Sequence, residues 1–153
     1  MKTSFLFRTG LIAALGFVSV CAHAGTLGTE SPDYNNTMGD PTLSVVSAGA
    51  HTITGTIGPS PTDIQDQFAV QIPANLQVTS ISYSGKTNDD NGNPMPLSAT
   101  GCGFSSINQT LGSPASSCTI NFNVAGNFLV ASYGWTVTVN TQVPPNNAPT
   151  AAS

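Results

Sequence analysis

The chain has 153 residues, of which 39% are hydrophobic and only 7% are charged, and its formal charge at pH 7 is −4. Three basic residues against seven acidic ones exclude a protein that holds nucleic-acid phosphates, and they disfavour docking on an anionic membrane. The length suits one domain with its own hydrophobic core.

The first 24 residues have the features of a secretory signal peptide. Lys2 and Arg8 give a positive start, Leu11–Val20 is a short apolar run, and Ala22-His23-Ala24 is a small-x-small cleavage site. No later stretch reaches the roughly 20 apolar residues that a membrane-spanning helix needs. We therefore expect a secreted protein, extracellular or at the cell surface, without membrane insertion after cleavage.

Cleavage after Ala24 would leave 129 residues with Lys86 as the single basic side chain and a formal charge of −6. Cys102 and Cys118 would be the remaining cysteines. Two cysteines in an exported chain predict one disulfide, closing a loop of about 17 residues. A metal site is the alternative, but it lacks a second pair of ligands because His51 is the one histidine left.

Beyond Gly25 the sequence alternates apolar and polar residues and has no sustained helical periodicity. The predicted strands are Thr42–Ser47, His51–Ile57, Gln67–Ile72, Leu76–Tyr83, Thr119–Val124, Phe128–Ser132 and Trp135–Asn140. Turns are predicted at Pro73–Asn75 and Ala125–Asn127, and a loop is predicted at Asn88–Pro96. Short strands at this spacing predict a single all-β domain over residues 25–142, an antiparallel, jelly-roll-like β-sandwich. The Pro-rich residues 143–153 predict a disordered tail.

Three segments, taken in order, resemble the bacterial pre-peptidase C-terminal domain, a secreted β-sandwich module often attached to exported peptidases. The segments are the acidic stretch Glu30–Thr37, the strand and turn Asp66–Ala74, and the two closing strands that begin at Gly126-Asn127-Phe128 and Gly134-Trp135. The resemblance spans about Glu30 to Thr141. It implies a non-catalytic module that binds an extracellular polymer, a secreted peptidase partner or the cell surface.

The same resemblance implies calcium, because some members of this family hold Ca²⁺ with acidic residues at matching positions. Carried over to this sequence, the implied ligands are Glu30, Asp33, Asn36, Asp63 and Asp66. Calcium takes six to eight oxygen ligands from carboxylates, amides and carbonyls, which these residue types supply.

Asp63 and Asp66 stand just before an alternating apolar run, and the residues leave two readings open beside catalysis. A glycosidase-like acid pair is disfavoured, because strand residues three apart point to opposite faces. In the structural interpretation, the two carboxylates make turn hydrogen bonds at the solvent-exposed start of the strand. In the other interpretation, they bind calcium. The run Asp89–Asn93 is a second acidic candidate, but its order differs from an EF-hand loop and its Asn-Gly pair favours a plain turn.

The aromatic residues Tyr83, Tyr133 and Trp135 are candidates for ligand contact, with core packing as the alternative for Trp135. No G-x-S-x-G motif accompanies His51, which we interpret as a surface or edge-strand histidine rather than a triad base. An intramolecular isopeptide bond at Lys86 is disfavoured by its loop-like flanks.

The leading hypothesis is therefore a binding module and not an enzyme. The alternative is a structural subunit that self-assembles into an extracellular layer or filament through exposed sheet edges. A small hydrolase is the third hypothesis.

Overall fold

A computed structural model describes residues 25–29 and 41–145, and within these ranges the chain forms strands and no helix. The strands of the described residues are β1 (Gly25–Thr29), β2 (Thr42–Ser44), β3 (Gly49–Ile57), β4 (Gln65–Ile72), β5 (Gln77–Ser84), β6 (Leu97–Thr100), β7 (Gln109–Ala115), β8 (Cys118–Ala125) and β9 (Tyr133–Gln142). They form a five-stranded sheet, β1-β3-β9-β5-β7, packed on a four-stranded sheet, β2-β4-β8-β6. The predicted all-β sandwich is confirmed.

Consecutive strands always lie in opposite sheets, so each described connection crosses the sandwich. The pairs β1–β3 and β2–β4 are parallel, and the other pairs are antiparallel. Both sheets are therefore mixed, whereas the sequence predicted antiparallel pairing throughout. The alternation of strands between the sheets does not by itself set the direction, because β5–β7 and β6–β8 are also separated by one strand of the other sheet and are antiparallel.

The core lies between the sheets and follows the predicted period of two. In β4, Phe68, Val70 and Ile72 are fully buried, and Phe68 stacks on Phe122 of β8 with ring centroids 4.9 Å apart.

Between residues 41 and 145, as in 25–29, there is no helix of the length and apolarity that crossing a membrane requires.

Three edge strands and one loop differ from the sequence-based expectation. β1, β6 and β7 were not predicted. β1 has five residues of which two are glycine, β6 has four residues, and β7 carries Gly112 and Pro114, which break the apolar alternation. Proline is tolerated in β7 because this strand is at an edge. The predicted strand Phe128–Ser132 is wrong: this segment is a loop in which Phe128 alone is buried.

The disulfide between Cys102 and Cys118 is confirmed, with the two Cα atoms 5.4 Å apart. It joins the turn after β6 to the first residue of β8. The bond therefore restrains both ends of the segment between these two positions, which contains the edge strand β7. The proposed domain bounds 25–142 stay a prediction, and the predicted signal peptide and residues 146–153 of the predicted tail lie outside the described residues.

Replacing both cysteines, Cys102→Ser with Cys118→Ser, is expected to lower the free energy of unfolding by about 3 kcal/mol, because the unfolded chain regains the entropy of the closed loop. Urea denaturation followed by Trp135 fluorescence measures this change. A loss below about 1 kcal/mol would contradict a stabilising role for the bond.

Candidate functional site

Three connections meet at one end of the sandwich and form the candidate site, which we call the loop end. They are residues 58–64 between β3 and β4, residues 85–96 between β5 and β6, and residues 126–132 between β8 and β9. All four acidic residues of the described ranges lie in these loops or just beside them: Asp63, Asp66, Asp89 and Asp90.

Backbone hydrogen bonds join the three loops to one another. The amide donors and carbonyl acceptors are Ser60 to Phe128 (2.6 Å), Gly126 to Ile64 (3.0 Å) and Asp90 to Asn127 (3.5 Å). Gly58 has a φ of +92°, and a Cβ there would stand 2.8 Å from the Cβ of Phe128, so a side chain would push two loops apart. The loops therefore form one preorganised surface.

The carboxylate of Asp89 organises its own loop. It accepts hydrogen bonds from the backbone amides of Asn91 (2.9 Å) and Asn93 (2.8 Å) and from the Asn93 side chain (3.3 Å). The backbone hydrogen bond from Asn93 is the main cause that lowers the pKa of Asp89 below its ordinary value. This geometry favours the plain-turn reading of Asp89–Asn93 over the metal reading.

Asp90 and Lys86 form a small cluster with two rings. The Lys86 ammonium lies 3.3 Å from Asp90 Oδ1, 3.6 Å from the centroid of the Tyr133 ring and 5.1 Å from that of Phe128. The other carboxylate oxygen of Asp90 accepts from the Leu129 amide at 2.9 Å. The side-chain interaction with Tyr133 is the main cause that raises the pKa of Lys86, and the hydrogen bond to Asp90 raises it further. Lys86 thus fastens two loops together, and this is a surface cluster rather than the buried setting of an isopeptide bond.

Asp66 is the residue whose position the sequence reading missed. It is 0% exposed, and the indole N–H of Trp135 donates to its Oδ2 at 2.7 Å. Trp135 also stacks on Phe68, with ring centroids 5.5 Å apart. The prediction that Asp66 lies at a solvent-exposed strand start is therefore wrong. The period of β4 carries the missed signal, because Asp66 shares its face with Phe68 and Val70.

The structure brings together only part of the predicted calcium site. Asp63 is half-buried just before β4, whereas Asp66 points into the core towards Trp135. Within residues 25–29 and 41–145, no group of three or more His, Cys, Asp or Glu side chains could hold a metal ion. Glu30, Asp33 and Asn36 lie outside the described residues, and calcium stays a prediction.

The aromatic candidates for ligand contact do not form a platform. Trp135 is 3% exposed, so its ring is part of the core and the prediction that it contacts a ligand is corrected. Lys86 covers one face of Tyr133. The half-buried Tyr83 donates its hydroxyl to the Lys86 carbonyl at 2.9 Å, and burial raises the pKa of Tyr83.

His51 is buried and not at the surface, which corrects the sequence-based interpretation. It lies in β3, between β1 and β9, and its Nε2 donates to the carbonyl of Ser47 at 2.9 Å. The side chain therefore stabilises the connection that precedes its own strand.

A pocket of about 450 Å³ opens at the loop end. Most of its wall is apolar and is formed by Ile64, Pro94, Met95 and Pro96. The polar part of the lining comes from Gln65, Asp89 and Asn127. Beside the pocket, the loops present Ile64, Leu129 and Val130 to solvent, with Val130 86% exposed. Exposed aliphatic side chains on fixed loops beside a pocket are typical of a binding surface.

No protein-family model, curated protein or solved structure matches this chain. The resemblance to the pre-peptidase C-terminal domain therefore depends on the three sequence segments, and membership of that family stays a prediction.

We expect Asp66→Leu to lower the free energy of unfolding by about 2 kcal/mol, because the indole N–H of Trp135 would lose its acceptor inside the core. Asp66→Asn keeps a carbonyl acceptor and should cost clearly less. Urea denaturation of both variants measures the difference. Equal stability of wild type and Asp66→Leu would show that this hydrogen bond does not stabilise the sandwich.

Acid pH should weaken the loop that Asp89 organises. Because the folded-state pKa of Asp89 lies below its ordinary value of 3.8, the carboxylate stabilises its loop at neutral pH, and this contribution is lost as the pH falls below 3.8 and through the lowered value. The amide resonances of Asn91 and Asn93 should then shift together in a ¹H–¹⁵N NMR titration. The shift should disappear in Asp89→Asn, and a common midpoint above 3.8 would contradict the account.

Proposed function

We propose that the chain is a secreted, non-catalytic β-sandwich module that binds an extracellular target through its loop end. The observation that carries this proposal is the set of exposed aliphatic side chains, Ile64, Leu129 and Val130, held beside a pocket by loops that are hydrogen-bonded to one another. Loops fixed before binding lose little entropy when a target docks, which favours affinity.

Export to the outside of the cell is part of the proposal and has two supports. The first 24 residues have the pattern of a signal peptide, and the disulfide Cys102–Cys118 suits an oxidising compartment. The acidic mature chain also favours neutral or basic targets over nucleic acids and anionic membranes.

Binding rather than catalysis is supported by how the reactive side chains are used. His51 is buried with its Nε2 bonded to the Ser47 carbonyl, the two cysteines form a disulfide, and Lys86 is engaged by Asp90 and the Tyr133 ring. Each of these groups has a structural role. Calcium, with the implied ligands Glu30, Asp33, Asn36, Asp63 and Asp66, remains part of the proposal as a stabilising ion.

The opposite end of the sandwich favours a second candidate, an extracellular subunit that self-assembles. Val46, which is 82% exposed, and the exposed Val143 lie at that end, where β3 begins and β9 ends. The large hydrophobic residues exposed in the described ranges are thus found at the two ends. Contacts from one end to the other are head-to-tail, and they build an open filament when the rotation between neighbouring copies does not close a ring.

Co-sedimentation of residues 25–153 with chitin, cellulose, collagen or cell-wall material, each with Ca²⁺ or with a chelator, tests the proposal. Val130→Ser should weaken target binding at least about fivefold, because the valine loses its apolar contact with the target. Val46→Ser removes an equally exposed valine from the opposite end and is the matched control.

Equal weakening by both variants, or none by either, would contradict a binding surface at the loop end. Pelleting without any target, relieved by Val46→Ser, would favour the self-assembling subunit instead.

A further inference from the structure

The pocket at the loop end combines an apolar wall with a carboxylate. Ile64, Met95 and the two flanking prolines supply apolar surface, and Asp89 lines the same pocket. The turn donors that bond to Asp89 keep it ionised at neutral pH. The pocket can therefore hold an apolar group of a ligand, with the negative charge of Asp89 next to that group.

Charge is distributed unevenly over the described residues in a way that supports a cationic partner. Their four acidic residues are all at the loop end, and the opposite end has none. Lys86, the one basic residue in these ranges, is used within the loop end by Asp90 and the Tyr133 ring. Asp66 is buried and Asp90 is paired with Lys86. Asp63 is half-buried and does not line the pocket, so Asp89, which does, is the carboxylate best placed to meet an incoming cation.

A carbohydrate target is disfavoured by the same surface. Sugars are commonly bound by stacking on open aromatic faces, but Phe128 is buried, Trp135 is in the core and Lys86 covers Tyr133. The large hydrophobic side chains that reach solvent at the loop end are the aliphatic Ile64, Leu129 and Val130. Aliphatic surface beside a carboxylate suits a polypeptide better than a polysaccharide.

We propose that the loop-end pocket binds a segment of a partner protein in which an apolar side chain is flanked by lysine or arginine. This inference depends on the proposed function, since it names the target class of the same surface. The apolar side chain enters between Ile64 and Met95, and the neighbouring cation pairs with Asp89 at the pocket. Of the three target classes implied by the sequence, this selects a protein, such as a secreted partner, over a polymer.

Three synthetic peptides test the proposal by ¹H–¹⁵N NMR titration of the mature chain. The first contains one leucine between two lysines, the second replaces the lysines with glutamates, and the third replaces the leucine with serine. We expect the first to shift the amides of Asp89, Gly126 and Asn127 in a saturable way. The other two should bind at least about tenfold more weakly, since the leucine contributes burial and the lysines contribute charge.

Variants of the protein separate the two contributions. Asp89→Asn keeps an oxygen acceptor for the turn amides but removes the charge, so it should weaken the leucine–lysine peptide about fivefold and reduce the salt dependence of binding. Ile64→Ser should weaken the same peptide by a similar factor, whereas Val46→Ser should leave it unchanged. Chemical shifts away from the substituted residue report whether each variant keeps the fold.

Three results would overturn the inference, and each can be told apart from the others. If no peptide shifts the loop end at millimolar concentration but a polysaccharide binds in a Val130-dependent way, the pocket chemistry is wrong and the proposed binding function stands. If neither binds, both proposals fail. Loop-end shifts that depend on protein concentration without any peptide would show that a second copy is the occupant, which also overturns the inference.

Discussion

The hydrogen bond from the Trp135 indole to the Asp66 carboxylate is the interaction on which the rest of the structure depends. Asp66 belongs to the four-stranded sheet and Trp135 to the five-stranded sheet, so one polar contact of 2.7 Å crosses the core between them. A buried carboxylate is costly unless its hydrogen bonds are made, and the sheets can pack at this point only in a register that brings the two side chains together. The stacking of Trp135 on Phe68 fixes the ring in place.

This contact lies directly behind the loop end. Asp66 is the second residue of β4, and Trp135 is the third residue of β9, so two of the three loops leave the core within a few residues of the bond. The third loop is held to them by Lys86 and Asp90. The surface that we propose for binding is therefore attached directly to the packed core. Its aliphatic side chains lie on loops that are held in place by contacts with one another. Preorganisation of this kind lets a modest surface bind without a large loss of entropy.

The sequence predicted the parts of this structure that follow from local pattern. Alternating apolar residues identified β3, β4, β5, β8 and β9, and the two cysteines that follow the predicted signal peptide identified the disulfide. The parallel pairs could not be predicted, because strands far apart in sequence pair with one another and no local signal specifies which strands pair or in which direction. β7 was missed because Pro114 hides an edge strand, and Asp66 was misplaced because a carboxylate next to a turn usually faces solvent. The pocket was beyond prediction, since its wall comes from three loops far apart in sequence.

The most direct test of the central contact is the solvent exchange of the Trp135 indole proton, which gives a single resonance because the chain has one tryptophan. If the bond to Asp66 joins the two sheets inside the core, this proton should exchange only through global unfolding, as slowly as the best protected amides of β4 and β9. Exchange as fast as that of an exposed loop amide, under conditions in which the strands stay protected, would contradict the account. It would mean that Trp135 and Asp66 open to water while the sandwich remains folded.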